Sequence, residues 1–261
     1  MVHVFLTGGT GFIGGEVARL LQERDDDVVA LVRTPAKAAA ALAGGVRKAV
    51  YVSTVAVFGN TRGDVADEQW LRPEGLGFTS AYEQTKVQAH ERALELGARG
   101  LPPVTVQPGT VYGPGDTSEI GRLFDRLLAG KLPLKAFPDL GVTPVHRDDV
   151  AVGILLALDK GTNGSSYVLA GEPTRMGALV AEFARVAGRK PPRGSVQTVL
   201  LRGLAPFSRV VGLILGFQSN LRKVVAFSDG VTFWASSDKA QRELGWTFRP
   251  LAEGLATVTS S

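Results

Sequence analysis

Short, nearly continuous apolar runs alternate with amphipathic stretches along the 261-residue chain. Residues 2–6 form such a run, as expected of a parallel strand buried on both faces. Ile13, Val17, Leu20 and Leu21 follow at helical spacing. Residues 27–33 read as a second strand, and alanine-rich 36–43 as a helix that Gly44-Gly45 ends. Residues 49–54 are a third strand, and 55–78, with several Gly, Asp and Pro residues, a loop. Ser80 with Glu83 three positions on forms a capping box, so a helix runs from there to about residue 98. A strand at 104–107 ends in Pro108-Gly109. Beyond Pro114, Thr117 or Ser118 caps a helix to about 129. Strands at 142–145 and 166–170 flank a helix at 149–158 capped by Asp148, and Thr174 caps another to 187. Two short helices, 237–244 and 251–258, close the pattern. Strands alternating with helices predict an α/β fold with a parallel sheet.

The first strand breaks into Thr7-Gly8-Gly9-Thr10-Gly11-Phe12-Ile13-Gly14. In this strand–turn–helix setting Gly8 permits the tight turn, Gly11 lets a pyrophosphate reach the backbone, and Gly14 lets the helix pack on the strand. The open N–H groups and dipole at the helix start then favour phosphate charge. Gly15-Glu16 stands where a P-loop would need Lys and Ser/Thr. The second strand ends in Arg33 with no acid at that end. Arg suits a ribose 2′-phosphate where an acid would suit the 2′-hydroxyl, so NADP is expected, with NAD as the alternative.

A 44% hydrophobic, 21% charged composition is that of a globular protein. A net charge of +4 spread along the chain argues against a nucleic-acid surface. With no Cys, disulfides, zinc–thiolate sites and a Cys nucleophile are excluded, and a reducing, cytoplasmic setting fits. No leader is visible, and residues 1–6 read as the first strand. The most apolar stretch, 196–217, carries Arg202, Pro206 and Arg209 and is too interrupted to span a bilayer. It reads as a helix pair over a substrate pocket, with weak membrane-surface contact as the alternative.

The helix after Ser80 places Tyr82 and Lys86 one turn apart, following a strand that ends in Ser53-Thr54. A parallel sheet presents its ligand at that carboxyl end. A free phenol has a pKa of ~10, too high for neutral-pH chemistry, and a neighbouring ammonium favours phenolate. Tyr82 is therefore a candidate acid/base toward an alcohol or carbonyl, with Thr54 holding the substrate oxygen. His3, His90 and His146 lack metal-ligand spacing and read as structural, so no metal is expected. No G-x-S-x-G elbow is present.

TGGTGFIG at 7–14, YVST followed by Gly59, Tyr82-x-x-x-Lys86, QPGTVYGPGD at 107–116, HRDDVA at 146–151 and ELGW at 243–246 before Arg249-Pro250 resemble the extended short-chain dehydrogenase/reductase superfamily. The chain is most similar to its dihydroflavonol-4-reductase-like branch. The resemblance implies a Rossmann-like, doubly wound parallel sheet over 1–115, to which 142–170 returns. It also implies a small substrate domain from 116–141 and 171–261. Thr54, Tyr82 and Lys86 would be the catalytic triad. Gly8, Thr10, Gly11, Phe12, Ile13, Gly14 and Arg33 would bind the dinucleotide, Lys86 the nicotinamide ribose, and Pro108 to Val111 would line the nicotinamide pocket. Relatives often dimerise through the catalytic helix, so a homodimer is implied.

Two further strands normally separate the Arg33 strand from the Thr54 strand in that superfamily, whereas only residues 34–48 lie between them in this chain. The shortened chain is expected to pair the Thr54 strand directly beside the first, in the order 2-1-3-4. The leading expectation is an NAD(P)-dependent oxidoreductase acting on a secondary alcohol or ketone of a hydrophobic small molecule. The alternatives are a nucleotide-sugar epimerase or dehydratase with bound NAD, and a non-catalytic dinucleotide-binding protein.

Overall fold

The computed structural model describes residues 3–31, 48–98, 102–132, 134–135, 137–192, 194–195 and 230–260. Arg33, the alanine-rich 36–43 and the apolar 196–217 lie outside the described residues. The strands are β1 (His3–Thr7), β2 (Asp27–Leu31), β3 (Val50–Val52), β4 (Val104–Pro108), β5 (Thr110–Tyr112), β6 (Leu134–Lys135), β7 (Gly141–Val142), β8 (Pro144–His146), β9 (Ser166–Leu169), β10 (Thr174–Arg175) and β11 (Gly194–Ser195). The helices are α1 (Phe12–Glu23), α2 (Ala81–Gly97), α3 (Glu119–Leu128), α4 (Arg147–Lys160), α5 (Met176–Val186), α6 (Asp238–Leu244) and α7 (Leu251–Thr259). A 3-10 turn spans Val55–Phe58.

The parallel α/β architecture is present, but its ladder is interrupted. β1 pairs in parallel with β2, and β3–β4–β9 form a separate parallel sheet. Among the described residues β1 and β3 share no ladder, so the expected order 2-1-3-4 is corrected. A ladder needs strands about 4.8 Å apart. Packing on a common helix fixes only each strand's distance to that helix. Val4 and Leu6 of β1 and Val50 and Val52 of β3 all pack against one cluster containing Val17 and Leu21 of α1 and Val150, Ile154 and Leu155 of α4. The two sheets therefore share a core across a break in the ladder.

Two motifs far apart in sequence meet at the start of α4. The Arg249 guanidinium donates to the nearly buried Asp149 carboxylate at 2.7 and 3.0 Å, and the Trp246 indole N–H donates to the Asp149 carbonyl at 2.8 Å. Asp149 lies in the first turn of α4, where a helix dipole favours an anion. A Cβ on Gly153 would lie 2.6 Å from Leu169 and 2.9 Å from the Trp246 indole, so the helix needs glycine there to seat the tryptophan. HRDDVA and ELGW-x-x-RP thus bind the C-terminal segment to the sheet.

A second apolar cluster joins Phe124 and Leu127 of α3, Leu179, Val180 and Phe183 of α5, and Leu255 of α7. Phe124 and Phe183 stack with centroids 4.0 Å apart. Of α3, α4 and α5, one starts at an expected cap and two do not. Ser118 caps α3, its hydroxyl accepting from the Ile120 and Gly121 N–H groups. At α4 the buried His146 ring accepts from the Asp148 N–H, so His146 is the cap and Asp148 is not. Thr174 lies in β10, and α5 starts after Arg175 with no side-chain cap. Among the described residues no helix is long and apolar enough to cross a membrane.

Candidate active site

The glycine turn is built as its spacing implies. Gly8 has φ +74°, a conformation that L side chains rarely adopt, and the Gly11 N–H donates to its carbonyl at 2.8 Å. A Cβ on Gly14 would lie 2.1 Å from the Gly8 oxygen, so the first turn of α1 sits against the turn backbone only because Gly14 has no side chain. Gly11 is the N-cap residue of α1, and no side chain caps that end. Thr7, Gly8, Thr10 and Gly11 are exposed, and Phe12, Ile13 and Gly14 half-buried. Open backbone donors beside exposed glycines fit a pyrophosphate.

Phe12 links this turn to the next strands. The Arg147 guanidinium lies 5.3 Å from its ring centroid, and a Cβ on Gly113 would approach both Arg147 and Phe12. Gly113 directly follows β5. Pro108, the last residue of β4, is buried, and Val111 packs on the main core. Gly109 is held so close that a Cβ would lie 2.2 Å from the Thr143 carbonyl oxygen. The β4–β5 segment thus runs from beside the end of β3 to the glycine turn.

Beyond β3, Ser53 keeps the ladder through its N–H to the Val106 carbonyl at 2.8 Å. Thr54, 9% exposed, caps the 3-10 turn by accepting from the Ala56 N–H at 3.3 Å. Its hydroxyl also stands close enough to the Tyr82 phenol to favour the phenolate. Lys86 places its ammonium 5.9 Å from the Tyr82 ring centroid. The structure therefore brings Thr54, Tyr82 and Lys86 together.

One expectation changes. The surrounding protein pushes the Tyr82 phenol above its ordinary range, and the Thr54 hydroxyl pulls it back. The ammonium lies over the ring, where it acts as a cation–π partner. Tyr82 is still 58% exposed, so solvent screens that upward push. The phenol is thus a proton donor at neutral pH in the unliganded site.

The loop expected to be irregular is pinned, and its pin was not read from the sequence. Arg72 pairs with Glu83 at 2.7 Å, donates to the Gly77 carbonyl at 3.1 Å, and lies 5.0 Å from the Phe78 ring centroid. Glu83 is only 1% exposed and also accepts from the Thr79 N–H at 2.8 Å. The Ser80 hydroxyl accepts from the Glu83 N–H at 3.0 Å, so the predicted cap forms, while the return bond goes to Thr79 and not Ser80. Arg72 and Glu83 so fix the start of α2, one residue from Tyr82. Arg72 has no local signal, because its partner lies 11 residues away across a folded loop.

A parallel α/β fold with a glycine turn at the head of its first helix is the architecture of dinucleotide-binding proteins. The chain belongs to the NAD dependent epimerase/dehydratase family, whose model matches residues 36–170. That span takes in Thr54, Tyr82, Lys86, Pro108 and Val111 and begins after the glycine turn. A dihydroflavonol 4-reductase-like protein of Synechocystis is 26% identical over 97% of this chain and 92% of its own. Their alignment runs over 319 positions, more than this chain has, so that relative carries residues this chain lacks. The 2-alkyl-3-oxoalkanoate reductase of Stenotrophomonas maltophilia is 28% identical over 85% of this chain and 71% of its own. The crystal structure of a nucleoside-diphosphate-sugar epimerase from Pseudomonas aeruginosa has the same fold, with a TM-score of 0.77, 21% identity, and coverage of 99% of this chain and 96% of that one.

Proposed function

We propose that the protein is an NADP-dependent oxidoreductase that interconverts a ketone and a secondary alcohol on a hydrophobic small molecule. The observation that carries this reading is the Thr54 hydroxyl beside the Tyr82 phenol, with Lys86 over the same ring, at the carboxyl end of a parallel sheet. Gly8, Thr10, Gly11, Phe12, Ile13 and Gly14 hold the pyrophosphate segment through open backbone donors, and Pro108 and Val111 border the nicotinamide. Lys86 binds the nicotinamide ribose, and Arg33 is assigned the 2′-phosphate on its sequence position alone. The bound nicotinamide supplies or accepts the hydride. Thr54 holds the substrate oxygen, and Tyr82 gives it a proton in reduction or takes one in oxidation. Because Tyr82 is held in its phenol form, ketone reduction runs through neutral pH, and alcohol oxidation gains rate as pH rises toward phenolate.

An apolar rim supports the substrate class. Leu71, Phe78 and Tyr82 are large exposed apolar side chains on the Arg72 loop and the start of α2. A relative whose name specifies a 2-alkyl-3-oxoalkanoate points the same way. The elements of the second apolar cluster, α3, α5 and α7, form the substrate-facing lobe in this reading.

The test is oxidation of NADPH by the purified protein with a series of 3-oxo esters of increasing alkyl length, set beside product analysis of UDP-glucose incubated with NAD, because epimerisation and dehydration consume no cofactor. Turnover that rises with chain length, with none on the sugar nucleotide, is expected. Turnover of UDP-glucose alone would replace this reading with the epimerase one.

A further inference from the structure

Where α2 meets the sheet, the contact is polar. Glu83, Lys86, Val87, His90, Ala93 and Gly97 mark its less exposed stripe, and of these Val87 belongs to the apolar cluster beneath. Val50, Val52, Val104 and Val106 pack in the main core, so alternation turns Tyr51, Ser53, Thr105 and Gln107 to the α2 side. Thr105 and Gln107 are 1% and 2% exposed, and among the described residues the Thr105 hydroxyl and Gln107 carbonyl oxygens have no hydrogen-bond partner. Among the described residues a direct bond crosses from this layer to the helix: the Ser53 hydroxyl lies 3.0 Å from His90 Nδ1. The Tyr51 and His90 ring centroids are 6.3 Å apart.

We propose that His90 is a positioning residue for the Tyr82 phenol, acting through Ser53 and Thr54. The inference rests on reading Tyr82 as the proton-transferring group. His90 is two helical turns beyond Tyr82, about 12 Å along α2, too far to touch the reacting atoms. It instead closes a circuit. The Thr54 hydroxyl stands beside the phenol, a planar peptide joins Thr54 to Ser53, Ser53 bonds His90, and the helix returns to Tyr82. Ser53 is also held from the β4 side by its N–H to the Val106 carbonyl. Thr54 is extended, with φ −168° and ψ 153°, so anchoring Ser53 on both sides removes the main freedom by which the Thr54 hydroxyl would drift from Tyr82. Tyr82, Lys86 and His90 recur every four residues on one helix, a signal present in the sequence that the absence of metal spacing obscured.

The phenol itself reports the circuit. Its ionisation is followed by NMR of protein labelled at tyrosine Cζ, with Tyr82→Phe assigning the resonance. The Thr54 hydroxyl favours phenolate, so letting it drift away raises the pH at which Tyr82 ionises. His90→Phe and Ser53→Ala are each expected to shift that midpoint upward, and the double variant to shift it no further than either alone. His90→Asn, which keeps a polar atom near the Nδ1 position, is expected to return it toward the parent value. Should His90→Phe not fold, Ser53→Ala with and without His90→Asn carries the same comparison. An unmoved midpoint, or single shifts that add in full, would overturn the proposal. The titration needs no substrate. A Tyr82→Phe protein that kept its turnover would therefore refute the catalytic reading while leaving the positioning result legible.

Discussion

Tyr82→Phe is expected to lower turnover by roughly 10²–10⁴-fold, the usual range for losing a positioned proton donor, while leaving NADPH binding within about twofold. The residue is 58% exposed, and its ring lies under Lys86, a contact phenylalanine keeps. What the substitution removes is the hydroxyl that faces Thr54. The deficit therefore falls on kcat, because the proton transfer is made in the transition state and cofactor affinity comes from the glycine turn. Steady-state rates and a binding titration on the same preparation separate the two. Equal loss of binding and turnover would mean that Tyr82 holds the cofactor and does not move the proton.

Gly14→Ala is expected to abolish saturable NADPH binding and to lower the melting temperature by several degrees, since overpacking a tight contact costs about 1–3 kcal/mol. The new Cβ would stand 2.1 Å from the Gly8 carbonyl oxygen and 2.7 Å from its carbon, both backbone atoms that cannot rotate away. Relief requires α1 to move off the turn, which carries its open N–H groups away from the phosphate. The next residue is the control. A Cβ on Gly15 meets only the Gly9 oxygen at 3.6 Å, an ordinary contact. Gly15→Ala is expected to bind cofactor normally and to gain about 0.5–1 kcal/mol from the better helix residue. Thermal melts and nicotinamide fluorescence on both variants check the pair, and equal behaviour would place the phosphate site elsewhere.

What could be read from the sequence was mostly what is decided locally. The glycine turn, the Ser80 cap and the strand at 104–107 each depend on a few neighbouring residues and on backbone geometry. The Tyr82–Lys86 pair was legible for the same reason, being set by helical period. Long-range choices were not. Whether β1 and β3 form a ladder depends on inter-strand distance, and the apolar pattern of Val4, Leu6, Val50 and Val52 is satisfied equally well by a shared core. At α4 both His146 and Asp148 can cap, and only the buried position of the imidazole selects His146. The direction of the Tyr82 shift was missed because spacing puts Lys86 near the ring without saying that it lies over its face.

The central claim is that this shortened sheet forms a nicotinamide-dinucleotide site, and binding tests it more directly than turnover. Purified protein titrated with NADPH and with NADH, followed by nicotinamide fluorescence, is expected to show saturable binding with NADPH the tighter ligand. Tighter NADH would remove Arg33 from the 2′-phosphate role and leave the site standing. No saturable binding of either would contradict the account and favour a non-catalytic role for the fold.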